Sequence, residues 1–127
     1  STSGTQVNFA SIPSTYSNLL IVLEGVSMTG AVFINLKASG DNGSTITAVG
    51  SFGLTSGGAD TFYGAGIITG YLRNAGIVRA LAGNLTTDTS STNASSNPYA
   101  WRISGGIDYL RVDGGTFDAG TITLYGM

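Results

Sequence analysis

The stretch Ala31-Val32-Phe33-Ile34-Asn35-Leu36-Lys37-Ala38 carries the clearest structural signal in the chain. Its apolar residues Val32, Ile34 and Leu36 fall on one face of an extended strand. Phe33, Asn35 and Lys37 fall on the other face. The next residues, Ser39-Gly40-Asp41-Asn42-Gly43-Ser44, are turn formers, because Gly, Asn and Asp tolerate the positive φ angles of tight turns. The pattern predicts a half-buried β-strand that ends in a turn.

Short apolar segments of the same kind recur along the chain, separated by clusters of Gly, Asn, Asp and Ser. The 20 glycines disfavour long helices, because each Gly inside a helix costs about 1 kcal/mol against Ala. We therefore expect one all-β domain over residues 1–127, an antiparallel β-sandwich of jelly-roll type with about eight strands. Residues 19–26 are apolar on both faces, which indicates a central strand covered on each side. The predicted strands cover residues 6–9, 19–26, 31–38, 45–52, 61–71, 77–85, 99–103, 107–112 and 121–125.

The composition excludes several kinds of chemistry. Because the chain has no His and no Cys, it lacks a Ser-His-Asp triad, a thiol nucleophile and the usual zinc ligands. Its five basic residues are scattered through a chain of net charge -2, whereas nucleic-acid binding needs clustered positive charge. The apolar run that begins at Leu19 ends before Glu24, far short of the roughly 20 residues that span a bilayer. We expect no enzyme activity, no cofactor, no nucleic-acid partner and no membrane insertion.

The longest polar stretch, residues 86–98, consists almost wholly of Ser, Thr, Asn and Asp. It is predicted to be a loop, either mobile or involved in binding. Asn, Ser and Thr side chains form hydrogen bonds with sugar hydroxyl groups, and an aromatic ring beside them offers an apolar surface. If the chain binds a saccharide, the candidate ligand-binding residues are Asp88, Asn93, Asn97 and Tyr99.

Aromatic and charged residues inside the predicted strands allow two interpretations each. Tyr63, Tyr99 and Trp101 form either a stacking platform for a sugar ring or part of the core or a subunit interface, and packing is favoured. Arg79 and Glu24, the only Glu of the chain, are the charges expected to be partly buried. Since buried charges are usually paired, a structural ion pair between them, or across a subunit interface, is one expectation.

The acidic residues also allow more than one interpretation. Two carboxylates at suitable spacing can hydrolyse glycosides, and the C-terminal candidates are Asp108, Asp113 and Asp118. Ordinary turn and surface roles are favoured, because Asp113 precedes Gly-Gly, where Asp is a common turn former. Oxygen ligands for Ca²⁺ are present but lack the EF-hand spacing, so turn roles are favoured and no metal site is predicted for Asp41, Asn42 and Asp60.

Three blocks of the sequence follow motifs that occur together, in this order, in a known type of β domain. Residues 7–19, VNFASIPSTYSNL, match the opening F-x-x-I-P-x-x-Y-x-x-L. Residues 36–44, LKASGDNGS, match a strand followed by an N-G-D-x-G-S turn, with Ser39 in place of the usual Asn. Residues 117–127, FDAGTITLYGM, resemble the terminal strand F-x-x-G-(S/T)-x-(F/I)-(S/T)-L-Y-G, with one residue fewer between Gly120 and Leu124. Together the blocks resemble a β domain common in tailed-bacteriophage structural proteins, where it often closes tail fibres.

This resemblance implies a virion structural protein on the outside of a phage particle, at the tail or the capsid surface. The leading hypothesis is a tail-fibre or spike domain that binds a bacterial surface polysaccharide. The alternative is a capsid cement or decoration protein with a flat docking face and no ligand site. Low charge and a mean hydropathy of +0.24 predict apolar surface beyond one core, and burying it between subunits would stabilise a homotrimer. The expected partners are further copies of the chain and other virion proteins.

Overall fold

Ten β-strands make up the regular structure of the residues that the computed structural model describes, which are 4–29, 32–55, 61–72, 75–86, 91–93, 99–103 and 106–127. No helix occurs in these ranges, so the predicted all-β class is confirmed. The strands are β1 (Gln6–Phe9), β2 (Asn18–Met28), β3 (Val32–Ser39), β4 (Thr47–Thr55), β5 (Thr61–Thr69), β6 (Ala75–Thr86), β7 (Ser91–Asn93), β8 (Tyr99–Arg102), β9 (Tyr109–Asp113) and β10 (Phe117–Gly126).

The strands form two antiparallel sheets. The four-stranded sheet has the order β1-β9-β3-β4, and the six-stranded sheet has the order β10-β2-β5-β6-β7, with β8 also pairing β6. Hairpins join β3 to β4 in the four-stranded sheet and β5 to β6 in the six-stranded sheet. The chain changes sheet between β1 and β2, β2 and β3, β4 and β5, β8 and β9, and β9 and β10. The arrangement confirms the predicted antiparallel sandwich, and it inserts β9 between two strands that are distant from it in sequence.

The core lies between the two sheets and follows from the alternation of side chains along each strand. Ile34 and Leu36 of β3 are fully buried, whereas Asn35 and Lys37 are partly exposed on the outer face, as the sequence pattern predicts. Burying each such aliphatic side chain contributes about 1.5–3 kcal/mol. Residues of both sheets and of the adjoining loops form one cluster: Leu19, Ile21, Leu23, Val26, Met28, Ile34, Leu36, Ala38, Val49, Ile68, Tyr71, Ile103, Ile107, Leu110, Val112, Phe117 and Ile122.

A bulge interrupts β2 where it pairs with β10. Gly25 has a φ of +62° and falls at the register shift between Thr121, which pairs with Glu24, and Ala119. Opposite it, Gly120 has a φ of +105°, and a Cβ placed there would lie 2.5 Å from both the Gly25 carbonyl oxygen and Val26 Cα. Only glycine fits this close approach of two backbones.

The buried Tyr71 anchors the segment that leads from β1 to β2. Its hydroxyl group donates a hydrogen bond to the Pro13 carbonyl oxygen and accepts one from the Tyr16 backbone N–H at 3.3 Å. The ring is fully buried, and Ile12, partly buried, packs against the same core. The Ile-Pro-x-x-Tyr stretch therefore closes one end of the sandwich through contacts with a residue more than fifty positions away.

Three expectations about single segments are wrong. Residues 86–98 are not all loop, because Thr86 ends β6 and residues 91–93 form β7, which adds a strand to the predicted number. Residues of this polar segment pair as an edge strand, with Asn93 opposite Asn84. A loop was expected from residue 53, yet β4 continues to residue 55 because Leu54 pairs with β3.

The third correction concerns β2. Its inward residues are buried, but Leu20 and Val22 on the outer face are only partly buried, so the strand is not covered on both sides in the described structure. Glu24 is exposed at the bulge, which contradicts its expected partial burial, while the ion pair itself stays a prediction. The side chain of Arg79, its expected partner, lies outside the described residues.

Candidate functional site

The outer face of the four-stranded sheet carries a polar surface to which three strands contribute. In each of two adjacent rows across the sheet, a residue of β9 lies between a residue of β1 and a residue of β3. Since these side chains alternate with core residues, all of them point away from the core. We call this surface the polar face; its rows are Gln6, Asp113 and Asn35, followed by Asn8, Arg111 and Lys37.

An ion pair crosses the polar face diagonally. Lys37 Nζ lies 2.9 Å from Asp113 Oδ2, with 33% and 16% of the two side chains exposed. The other carboxylate oxygen, Asp113 Oδ1, is buried and accepts no hydrogen bond from any described residue. Leaving a buried acceptor unpaired costs about 1–3 kcal/mol, so this oxygen atom lowers the stability of the domain.

An open depression of about 480 Å³ lies beside this ion pair. It is lined by the two charged side chains, by the amide side chains of Gln6 and Asn35, by Thr5, and by residues 114–116. Amides, a carboxylate and hydroxyl groups supply both donors and acceptors. The depression therefore offers a ligand with several hydroxyl groups a set of hydrogen-bonding partners from three strands and the adjoining turns.

The guanidinium group of Arg111 is held in a defined position. Its Nε donates a hydrogen bond to Asn8 Oδ1 at 3.0 Å, and one Nη2 hydrogen is donated to the Tyr109 hydroxyl group at 3.2 Å. Arg111 Cζ lies 5.8 Å from the centroid of the Tyr109 ring, a geometry that allows a cation–π attraction. Because Tyr109 is itself buried, its ring and hydroxyl group hold the guanidinium group in place.

The turn after β3 closes one end of the polar face. Ser39 Oγ donates to Asp41 Oδ1 at 2.5 Å and accepts the Gly43 N–H at 3.0 Å, and the Thr45 N–H donates to Asp41 Oδ1 at 2.7 Å. These hydrogen bonds, led by the one from Ser39, lower the pKa of Asp41 below its ordinary value of 3.8. The turn role favoured for Asp41 is confirmed.

A second set of contacts ties this turn to other segments. The Asn42 N–H donates to Asp108 Oδ1 at 2.9 Å, and Asn42 Oδ1 accepts the Ser11 N–H at 2.8 Å. Asn42 has a φ of +53°, which Asn adopts more readily than most residues. The oxygen atoms of Asn42 and Asp108 therefore bind backbone amides of the chain.

The residues predicted to bind a saccharide are only partly placed. Asp88 and Asn97 lie outside the described residues. Asn93 pairs with Asn84, and Tyr99 pairs with Val78. Asn84 and Val78 are six residues apart along β6, which corresponds to about 20 Å at 3.3 Å per residue. One sugar ring cannot contact both Asn93 and Tyr99, although an oligosaccharide chain can, so this site stays a prediction.

The aromatic and acidic candidate residues are placed in part by the structure. Tyr63 is 49% exposed, while the side chains of Tyr99 and Trp101 lie outside the described residues, so the proposed aromatic platform stays untested. Asp118 is exposed, and Asp60 is not described. Within the described ranges no group of three acidic residues has a geometry that could hold a metal ion. The same ranges contain no helix long and apolar enough to cross a membrane.

The outer face formed by β10, β2 and β5, the strands of the six-stranded sheet whose side chains are described, has an apolar character. Leu20 of β2 lies between Tyr125 of β10 and Ile67 of β5, and in the next row Val22 lies between Thr123 and Ala65. Tyr125 is 48% exposed and the others are partly exposed. We call these six side chains the apolar face. The two outer faces of the sandwich thus present different surfaces to a partner.

Comparison with known proteins finds no matching family model, no matching curated protein and no matching solved structure. The candidate site therefore rests on the geometry of this chain.

The sequence interpretation missed the polar face. The alternation in residues 31–38 places Asn35 and Lys37 outward, and the same alternation places Arg111 and Asp113 outward on β9. The alternation does not specify which strands pair or in which register, and it is the pairing of β9 with β1 and β3 that brings these residues together. A search for polar residues on the outward faces of amphipathic strands would have found the candidates, though not their contacts.

Proposed function

We propose that this chain is a non-enzymatic virion module, a tail-fibre or spike domain that binds a saccharide on the bacterial surface. The observation that carries the proposal is the polar face, where amides, a carboxylate and two cations are fixed on three strands beside an open depression. Sites on strands hold their groups more precisely than sites on mobile loops. The sequence resemblance to phage structural proteins supports the location on a virion.

A pair of variants tests which surface binds. Gln6→Ala combined with Asn35→Ala removes the two amides that flank Asp113 and leaves the ion pair in place. Asp88→Ala combined with Asn97→Ala removes the polar side chains of the loop interpretation. We expect the first double variant to lose binding in a glycan array and in adsorption to bacterial cells, and the second to retain both. The reverse result would move the site to residues 86–98.

We further propose that the chain forms a homotrimer through the apolar face. Exposed apolar patches on a soluble protein commonly mark contacts between subunits, and this face joins Leu20, Ile67 and Tyr125 in one row. Light scattering should give about three times the 12.9 kDa mass of one chain. Val22→Lys should shift the mass to the monomer, whereas Thr45→Lys at an exposed turn should not. A monomeric unmodified chain would refute the trimer.

The apolar face also favours a second candidate, a capsid decoration protein. Such a protein needs a flat docking surface and no saccharide site, and the apolar face supplies a partly exposed sheet surface. The two candidates differ in their partners. Binding of the purified chain to capsids without decoration protein, combined with no binding in the glycan array, would favour decoration over receptor binding.

A further inference from the structure

Arg111 has donors that no described residue uses. A guanidinium group carries five N–H donors, of which one on Nε and one on Nη2 are engaged. Both Nη1 hydrogens and one Nη2 hydrogen have no described acceptor. An Nη1–H and an Nη2–H can together bind a carboxylate or a phosphate with two parallel hydrogen bonds. No carboxylate of a described residue lies within ion-pair distance of Arg111.

The register adds an electrostatic reason for an anion at this place. Lys37 lies directly opposite Arg111 on the neighbouring strand, where Cβ atoms are about 5 Å apart. Like charges at such positions repel each other. Asp113 balances Lys37 at 2.9 Å but leaves Arg111 unbalanced. A bound anion beside Arg111 would remove this repulsion.

The acidic residues at the far end of the polar face are already engaged. Asp41 accepts hydrogen bonds from Ser39 and Thr45, and Asp108 accepts one from the Asn42 N–H. Asp41 lies in the turn after β3, and Asp108 directly precedes β9, so both carboxylates lie beyond the row in which Tyr109 pairs with Ser39. They do not supply the missing partner of Arg111.

We propose that Arg111, with Lys37 beside it, binds the anionic group of an acidic saccharide, while neighbouring sugar hydroxyl groups occupy the depression beside Asp113. Arg111 and Asp113 are two residues apart on one strand face, a separation of about 7 Å, which one substituted sugar ring spans. The amides of Gln6 and Asn35, which line the depression, then face the hydroxyl groups. This inference rests on the proposed function and specifies the saccharide class it recognises.

The test measures binding of three probes by calorimetry: a uronic acid oligosaccharide, a phosphate-bearing oligosaccharide and a neutral dextran oligosaccharide. We expect one or both acidic probes to bind, with affinity that falls as salt rises, and the neutral probe to bind more weakly. The two acidic probes distinguish a carboxylate from a phosphate source. Arg111→Gln should weaken acidic binding about tenfold or more, because it removes the charge and the two-pronged contact.

Two further variants distinguish the effect of the paired guanidinium donors from the effect of positive charge alone. Arg111→Lys keeps the charge but not the paired donors, so its affinity should lie between those of the unmodified chain and Arg111→Gln. Ser14→Asp, at an exposed turn, makes the same change in net charge as Arg111→Gln and should leave binding unchanged. Circular dichroism checks that each variant is folded, and Lys37→Gln replaces Arg111→Gln if the latter does not fold.

The outcomes also separate this inference from the proposed function. Failure of both acidic probes at millimolar concentration, or acidic binding that Arg111→Gln and Lys37→Gln leave unchanged, would overturn the anion site. If the chain then still binds neutral saccharides or bacterial cells, the receptor-binding function stands. If no saccharide and no bacterial surface binds, both proposals fail.

Discussion

Replacing Gly120 by Ala tests the account of the bulge between β2 and β10. Holding a residue other than glycine at a φ of +105° costs about 1–3 kcal/mol. The new Cβ would also lie 2.5 Å from two backbone atoms of β2, and relieving such overpacking costs about 1–3 kcal/mol more. We therefore expect Gly120→Ala to lower the free energy of unfolding by about 2–6 kcal/mol, a large part of the 5–15 kcal/mol typical of a domain.

Gly4→Ala is the matched control. Gly4 also has a positive φ, +71°, but a Cβ placed there meets nothing within 4 Å. Only the backbone cost of about 1–2 kcal/mol applies, and the reduced freedom of the unfolded chain offsets about 0.4–1 kcal/mol of it. Urea unfolding at one fixed protein concentration, followed by the fluorescence of the single tryptophan, measures both variants. Equal losses of stability in the two variants would refute the close-approach argument.

Three other substitutions test separate contacts. Tyr71→Phe removes the hydroxyl group that binds Pro13 and should lower the free energy of unfolding by about 1 kcal/mol; an unchanged urea midpoint would contradict it. Because hydrogen bonds lower the pKa of Asp41, its contribution to stability should be present above pH 3.8 and lost as the pH falls through the lower value of the folded state. Asp41→Asn should remove this part of the acid dependence of the thermal midpoint, and an identical pH profile would argue against it. Trp101→Ala should cost about 3–5 kcal/mol if the ring is part of the core; a fully stable variant that no longer binds saccharide would place the ring in the site.

Local sequence patterns predicted much of the fold. Residues 31–38 alternate, and β3 buries Ile34 and Leu36 as that alternation requires. The turn after it was also predicted, since Asp41 and Asn42 are common turn formers and Asp41 makes its hydrogen bonds with Ser39 and Thr45, a few residues away. Elements of this kind depend on neighbours in the chain, which a single sequence displays.

Features that depend on distant segments were not predicted. The outer residues of β2 were expected to be covered because they are apolar, but apolar residues also occur on open faces. The polar face requires Arg111 to lie between Asn8 and Lys37, and no local pattern specifies that register. The contacts of Tyr71 with Pro13 and Tyr16 likewise join segments far apart in sequence.

The insertion of β9 between β1 and β3 has a consequence for how the protein folds. Gln6 of β1 pairs with Asp113, and closing so long a loop of chain costs entropy before any pairing compensates for it. Proteins dominated by such pairings fold slowly. During synthesis from the N-terminus, β1 has no partner strand until residues 109–113 emerge from the ribosome. Until then its hydrogen-bonding edge is free to pair with other chains, and neighbouring ribosomes bring such chains close.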